Sequence, residues 1–206
     1  MIDAAFLVTS FATLFVVVDP IGLVPMFIAL TYGKTVQRRR EIAVRAVLVA
    51  GGLMTLFGLA GEALLTFIGI SMSAFRVSGG ILLLLTALDM LFERRTQRRE
   101  GHAVQNEEDP SVFPLATPLI AGPGALASMI LLTGEVQVNL IGLLAVHLVM
   151  FGVLACVLLL FLVSSKIENA LGRTGRMVVT RLLGMLLAAL SVQFIIDGLI
   201  GSGLLG

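Results

Sequence analysis

Charge is scarce in this sequence of 206 residues. Asp, Glu, Lys and Arg together make up 13% of it, against about 25% in soluble domains. Hydrophobic residues make up 58% and mean hydropathy is +1.05, so a soluble globular domain is excluded and the chain belongs in lipid. Cysteine is scarcer still. Cys156 stands alone, which rules out an internal disulfide or a two-thiol relay and leaves it as a small buried hydrophobe. The connections contain no P-loop fingerprint, which argues against an ATP-driven pump acting alone. Asp19 is the only acid near the centre of an apolar segment, and His147 has no evident serine partner at depth. Neither aspartyl nor serine intramembrane protease chemistry is therefore supported, and no enzyme, cofactor or metal site is expected. The first residues lack the basic stretch of a signal peptide, carry Asp3 instead, and run apolar for too long. They read as a retained first helix.

What the chain has in quantity is apolar runs. A transmembrane helix needs about 20 mostly apolar residues, and six segments qualify: 4–30, 42–68, 73–92, 113–133, 139–163 and 175–200. The connections are short except for the polar, charge-mixed stretch from Glu93 to Ser111. Basic residues alternate between connections. Lys34, Arg38, Arg39 and Arg40 lie in the first, Arg94, Arg95, Arg98 and Arg99 in the third, and Lys166, Arg173 and Arg176 in the fifth. The second and fourth have essentially none. By the positive-inside rule, the odd connections face the cytoplasm and both termini face the outer, periplasmic side. This pattern explains the arginine runs better than nucleic-acid binding does.

The two halves of the chain resemble each other. "DPIGLVPMFIALT" at 19–31 matches "AGPGALASMILLT" at 121–133, pairing Gly22 with Gly124 and Thr31 with Thr133. "RVSGGILLLLT" at 76–86 matches "RLLGMLLAALS" at 181–191, pairing Arg76 with Arg181 and Gly79 with Gly184. The expected architecture is all-α and integral to the membrane, with six helices in two three-helix repeats. Residues 1–92 form the first repeat, 93–112 a charged cytoplasmic loop, and 113–206 the second repeat. An odd number of helices per repeat inverts the second relative to the first, a common plan among secondary transporters.

Segments one and four carry helix breakers at matching depth. Asp19, Pro20 and Gly22 interrupt the first; Pro118, Gly122, Pro123 and Gly124 interrupt the fourth. Proline removes a backbone donor and clashes with the preceding turn. Freed backbone groups at mid-membrane are tolerated only inside protein or beside a wet cavity. Paired interruptions therefore point to a binding site, where half-helix N-termini attract a carboxylate and C-termini an ammonium. Asp19 is costly in the membrane, by about 3 kcal/mol. It can hold a substrate ammonium, carry a coupling proton, or cap the half-helix that Pro20 begins.

The "DPIG" run in segment one, "PLIAGPGA" in segment four and six helices in about 200 residues resemble the MarC family. That family is named for a multiple antibiotic resistance locus and lies in the LysE-like group of amino acid exporters. The resemblance spans essentially the whole chain. It implies an inner-membrane carrier of small neutral amino acids such as glycine or alanine. Substrate-binding candidates carried over by it are Asp19, Pro20, Gly22, Pro118, Gly122, Pro123 and Gly124. Rival readings are an efflux carrier for drugs or other metabolites, and a channel or regulatory membrane protein. Expected partners are a small-molecule substrate, the lipid bilayer and a second copy of the chain; nucleic acid is not one.

Other polar residues punctuate the apolar segments. Arg76 and Arg181 either snorkel to their interfaces or, with Asp19, take part in gating or coupling at the pathway mouths. Arg45 anchors at the cytoplasmic interface, and Asp89 lies beside the basic loop. Glu62, Asp197 and His147 lie toward the outer side, His147 as a packed side chain or a proton relay. Thr31, Thr86, Ser128, Thr133 and Ser191 line a pathway or bond across helices.

Overall fold

Asp19 ends one helix and begins the next. In the computed structural model, which describes residues 4–92, 109–136 and 139–203, α1 (Ala4–Val18) and α2 (Pro20–Leu30) share one apolar span of 27 residues. α3 (Val36–Ile68) begins well before residue 42, because the Thr35 hydroxyl accepts from the Arg38 N–H at 3.3 Å. Capping of this kind satisfies an orphan donor, and it winds the basic first connection into the helix. α3 stops at Gly69, whose φ of 84° suits glycine alone. α4 (Met72–Leu91) starts on a Ser71 cap, and α7 (Leu140–Leu162) on an Asn139 cap.

Between them lie α5 (Ser111–Ile120) and α6 (Pro123–Gly134), which meet at a bend of 57°. α8 (Ser164–Gly201) is continuous over 38 residues. It absorbs the fifth connection, so Lys166, Arg173 and Arg176 lie on a helix rather than in a loop. Their side chains, that of Asp89, and the third connection with Arg94, Arg95, Arg98 and Arg99 lie outside the described residues.

The protein is thus an all-helical membrane protein. Among the described residues, four segments (α1–α2, α3, α7 and the part of α8 from Arg181) are long and apolar enough to span a bilayer, and five are if the bent pair counts as one span. α4 adds a further apolar stretch, Met72–Leu88. The broken helices form the centre. Within α1–α2, 61% of the most apolar window is buried, against 33% in α7 and 28% in α8. α6 buries every residue from Ala127 to Thr133. Outside, α3, α7 and α8 present Leu48, Leu56, Leu148, Leu159, Leu182 and Leu186 outward, as a lipid-facing surface requires.

Chain turns gather at two ends. At the basic end, the Phe27 and Phe161 rings stack at 4.3 Å with the Arg39 guanidinium 5.6 Å over Phe27. Arg39 also donates to Ser164 Oγ at 2.9 Å, and Arg38 and Arg45 contact Asp109. At the far end, a Cβ on Gly134 would meet Met72, a Cβ on Gly201 would meet Ser73, and Arg76 meets Glu135.

α4 and α8 pack backbone to backbone. A Cβ would lie 2.8 Å from the Ser191 carbonyl oxygen at Gly80, 3.3 Å from that of Ala87 at Gly184, and 2.9 Å from that of Ser73 at Gly198. In lipid, where apolar burial does not drive association, such close approach supplies the packing energy.

Candidate functional site at the two helix breaks

The first break is one residue wide. Asp19 has φ 54° and ψ 63°, the left-handed region, which Asp tolerates better than most residues because its short side chain bonds locally. Its carboxylate accepts from the Gly22 N–H at 3.0 Å, capping α2. The backbone ladder runs on through the break: Asp19 N–H donates to Phe15 O at 3.0 Å and Leu23 N–H to Asp19 O at 3.1 Å. Gly22 is needed here, since a Cβ would overlap the Asp19 carboxylate. Pro20 occupies the first helical position, where its missing N–H costs nothing. Asp19 is 1% exposed.

The second break is built differently. α5 is widened and irregular, with Phe113 and Thr117 in extended conformations before the cis-bonded Pro114 and Pro118. This follows from the sequence, since a residue preceding proline is pushed out of helical geometry. Leu115 N–H reaches Pro110 O, and Ala121 N–H reaches Ala116 O. The chain then turns at Gly122, where a Cβ would lie 2.6 Å from the Pro118 carbonyl oxygen. α6 starts at Pro123 without a side-chain cap, so its first-turn N–H groups keep the positive end of the helix dipole open.

The two breaks meet. A Cβ on Gly124, in the first turn of α6, would sit 3.2 Å from Val17 at the end of α1, 3.2 Å from Leu83 and 3.8 Å from Thr86 Oγ1 on α4. Gly124 and Pro20 are buried, Gly22 and Gly122 partly so, while Pro118 and Pro123 are exposed. The second break is therefore open on one side, and the first is enclosed.

Arg76 is paired away from the breaks. Arg76 donates to Glu135 at 3.3 Å at the far end, and Arg181 lies exposed on α8. Arg45 pairs with Asp109 at 2.7 Å at the basic end, and Asp197 accepts from Gln193 at 2.7 Å on its own helix.

Four hydroxyls differ from expectation. Those of Thr31, Thr86, Thr133 and Ser191 donate to the carbonyls of Phe27, Leu82, Met129 and Leu187 one turn back on their own helices. Their hydrogens are spent within the helix rather than across helices, because the preceding turn offers an acceptor at no cost in chain ordering. Ser128 makes no such bond.

The family described as MarC family integral membrane protein matches residues 4–202. The chain belongs to the MarC family. Similar family members carry the name UPF0056 membrane protein. One from Methanocaldococcus jannaschii is 34% identical over 203 residues, covering 97% of this chain and 98% of its own. YvbG of Bacillus subtilis is 35% identical over 213 residues, covering 98% and 95%. A third, from Aquifex aeolicus, is 35% identical over 196 residues, covering 93% and 91%. No solved structure matches the chain.

In this MarC protein, one contributor to the approach to the second break was missed in the sequence. Asp109 accepts from the Ser111 N–H at 3.1 Å and from Arg45 and Arg38 at 2.7 and 3.4 Å, so it ties the start of α5 to α3. The Ser111 hydroxyl and N–H beside it, then Arg45 and Arg38, hold its carboxyl below the ordinary 3.8, against burial, which pushes the other way. The signal was available: an Asp two residues before a Ser, across a proline, forms an Asx turn.

Proposed function

We propose that this chain is a secondary transporter of small neutral amino acids such as glycine or alanine, working by alternating access at the junction of α1–α2 with α5–α6. The carrying observation is the contact between the breaks: Gly124 opens α6 against Val17, two residues before Asp19. One break contributes a buried carboxylate, and the other contributes uncapped helix N–H groups. A zwitterion carries the complement of each, an ammonium for Asp19 and a carboxylate for the α6 N-terminus. The small residues Gly22, Gly122 and Gly124 let the chain close up at the breaks, since a Cβ on them would press on Asp19, on the Pro118 carbonyl, and on Val17 and Leu83. Pro20, Pro118 and Pro123 fix the breaks that free those groups.

The packing supports six spans in two inverted repeats. Exchanging the halves exchanges the contacts: α3 packs on α5 and α6 as α7 packs on α1 and α2, and α4 packs on α6 as α8 packs on α1 and α2. α3 pairs with its counterpart α7, and α4 with α8. The alignment of Gly79 with Gly184 and Thr86 with Ser191 carries the Gly80–Ser191 approach onto Gly184–Ala87 to within one residue. Gathering of the basic residues at one end supports cytoplasmic turns there and both termini outside. In this reading Arg76 with Glu135 closes the outer mouth, and Arg181 belongs to the α4–α8 pair that rocks against the centre.

Counterflow in proteoliposomes tests the proposal. A carrier exchanges external labelled glycine or alanine faster when unlabelled substrate is inside. Entry without such stimulation makes the protein a channel, and stimulation by larger organic cations or drugs alone makes it an efflux carrier of another class.

A further inference from the structure

A second polar feature lies away from the breaks. The hydroxyls of Ser10 and Thr13 on α1, Thr55 on α3 and Ser128 on α6, Glu62 Oε2 on α3 and His147 Nε2 on α7 are buried and make no hydrogen bond within the protein. These six lie in the half of the bundle nearer the far end, as does the likewise unsatisfied Arg76 Nε, while Ser111 Oγ at the start of α5 stands apart. Their helices are in mutual contact: α6 and α7 touch each other and both α1 and α3. Three of the helices converge at Gly58, where a Cβ would lie 3.0 Å from Met129 Cε and 3.1 Å from His147 Nε2. Gly58 therefore makes room for the imidazole edge. Buried polar groups are almost always paired, and four other hydroxyls of this protein satisfy themselves on their own helix. These six face another requirement.

The tautomer of His147 is fixed by geometry. Its Nδ1 lies 2.8 Å from Leu143 O, an acceptor only, so Nδ1 carries the hydrogen and donates it. Nε2 is then a bare lone pair, 3.1 Å from the Gly58 Cβ position. It can take a proton without disturbing the Nδ1–H bond. At the far end lies a pocket of about 320 Å³ lined by Glu62, Thr66, Ser71 and Met72. Glu62 lies one helical turn beyond Gly58 and shares both the pocket and the orphan set. Other titratable groups on elements packed against α7 are Asp19 at the break, Glu135 past the end of α6, and Arg181 and Asp197 on α8. Glu41 with Arg38, Arg39, Arg40 and Arg45 occupies the opposite end of α3.

We propose that His147 Nε2 is a proton-accepting site, solvated by the hydroxyls of Ser10, Thr13, Thr55 and Ser128 and supplied from the far-end pocket past Glu62. A proton from that aqueous side binds the Nε2 lone pair, giving an imidazolium that keeps its bond to Leu143, and leaves from the same nitrogen. Its use as the coupling proton rests on the transport reading; its existence does not.

The chain has 2 histidines, so His102→Gln leaves His147 as the sole imidazole. In lipid vesicles, 15N-histidine NMR is expected to show a neutral ring with its hydrogen on Nδ1, which takes a second proton on Nε2 when the medium is acidified. A ring that stays neutral, or carries its hydrogen on Nε2, overturns the site. In proteoliposomes, His147→Gln is expected to keep glycine counterflow while cutting accumulation driven by a pH gradient about tenfold. Unchanged accumulation overturns the coupling role. If the wild type shows neither counterflow nor accumulation, the transport reading fails, and the NMR result still decides the proton site.

Discussion

The two breaks solve one problem with different chemistry. At Asp19 a single left-handed residue bends the chain, the hydrogen-bond ladder passes through, and the acid's own carboxylate fills the start of α2. At Gly122–Pro123 the approach is a whole irregular segment, the bend is 57°, and the start of α6 has no side-chain cap. A capped N-terminus presents a negative group; an uncapped one presents donors. The two breaks thus present two electrostatic poles, and the proposed zwitterion site rests on this difference.

Changing the acid should break the comparison most severely. Asp19→Ala is expected to lower glycine counterflow about 100-fold, matching loss of a charge-assisted hydrogen bond of roughly 2–3 kcal/mol. It should also lower stability by about 1–2 kcal/mol through the lost cap. Asp19→Asn keeps the cap and the left-handed preference. It should unfold thermally in detergent like the wild type yet transport as poorly as the Ala variant; wild-type transport would remove the negative pole.

The glycines should respond unequally. Gly122→Ala meets the Pro118 carbonyl, which is backbone and cannot turn away, so a loss of about 1–3 kcal/mol is expected in thermal unfolding. Gly22→Ala meets a side chain that can rotate. Its stability loss should be the smaller of the two, with the α2 cap given up. Equal losses would mean that both breaks are backbone-limited.

The proposed gating contact comes next. Glu135→Gln should weaken its contact with Arg76 at a cost below about 1 kcal/mol, and shift uptake and efflux rates unequally. Symmetric effects would show that the pair closes neither mouth.

The smallest effect should come from Asp109, which anchors only the second break. Asp109→Asn is expected to cost about 0.5 kcal/mol, because Arg38 and Arg45 are well exposed. Its carboxyl is depressed below the ordinary 3.8 when folded. The contribution is therefore present above that value and lost as pH falls through the lower folded value. The contribution of Asp109 should be constant between about pH 5 and 8, and wild type and variant should converge in strong acid.

Much of the fold was legible because lipid restricts the choices. Apolar runs of sufficient length had to be helices, and Asp19–Pro20 and Gly122–Pro123 had to be interruptions. The helix ends were less legible. α3 reached back to Val36 and α8 to Ser164, since amphipathic interfacial turns carry charge without ceasing to be helical. The hydroxyls were not legible at all. Thr133 and Ser128 sit five residues apart on one helix, yet one bonds to its own backbone and the other does not. Their partners depend on rotamers and on which neighbours crowd each position.

The sequence by itself determined that the chain lives in a membrane, where its helices break, and at which end its basic residues gather. Each of these is a local consequence of transfer energy, proline geometry or charge. Only the tertiary structure decided that Gly124 lies against Val17, that the Asp19 carboxylate turns onto Gly22, and that His147 Nε2 faces Gly58. These depend on contacts between residues far apart in the chain, which no local pattern encodes.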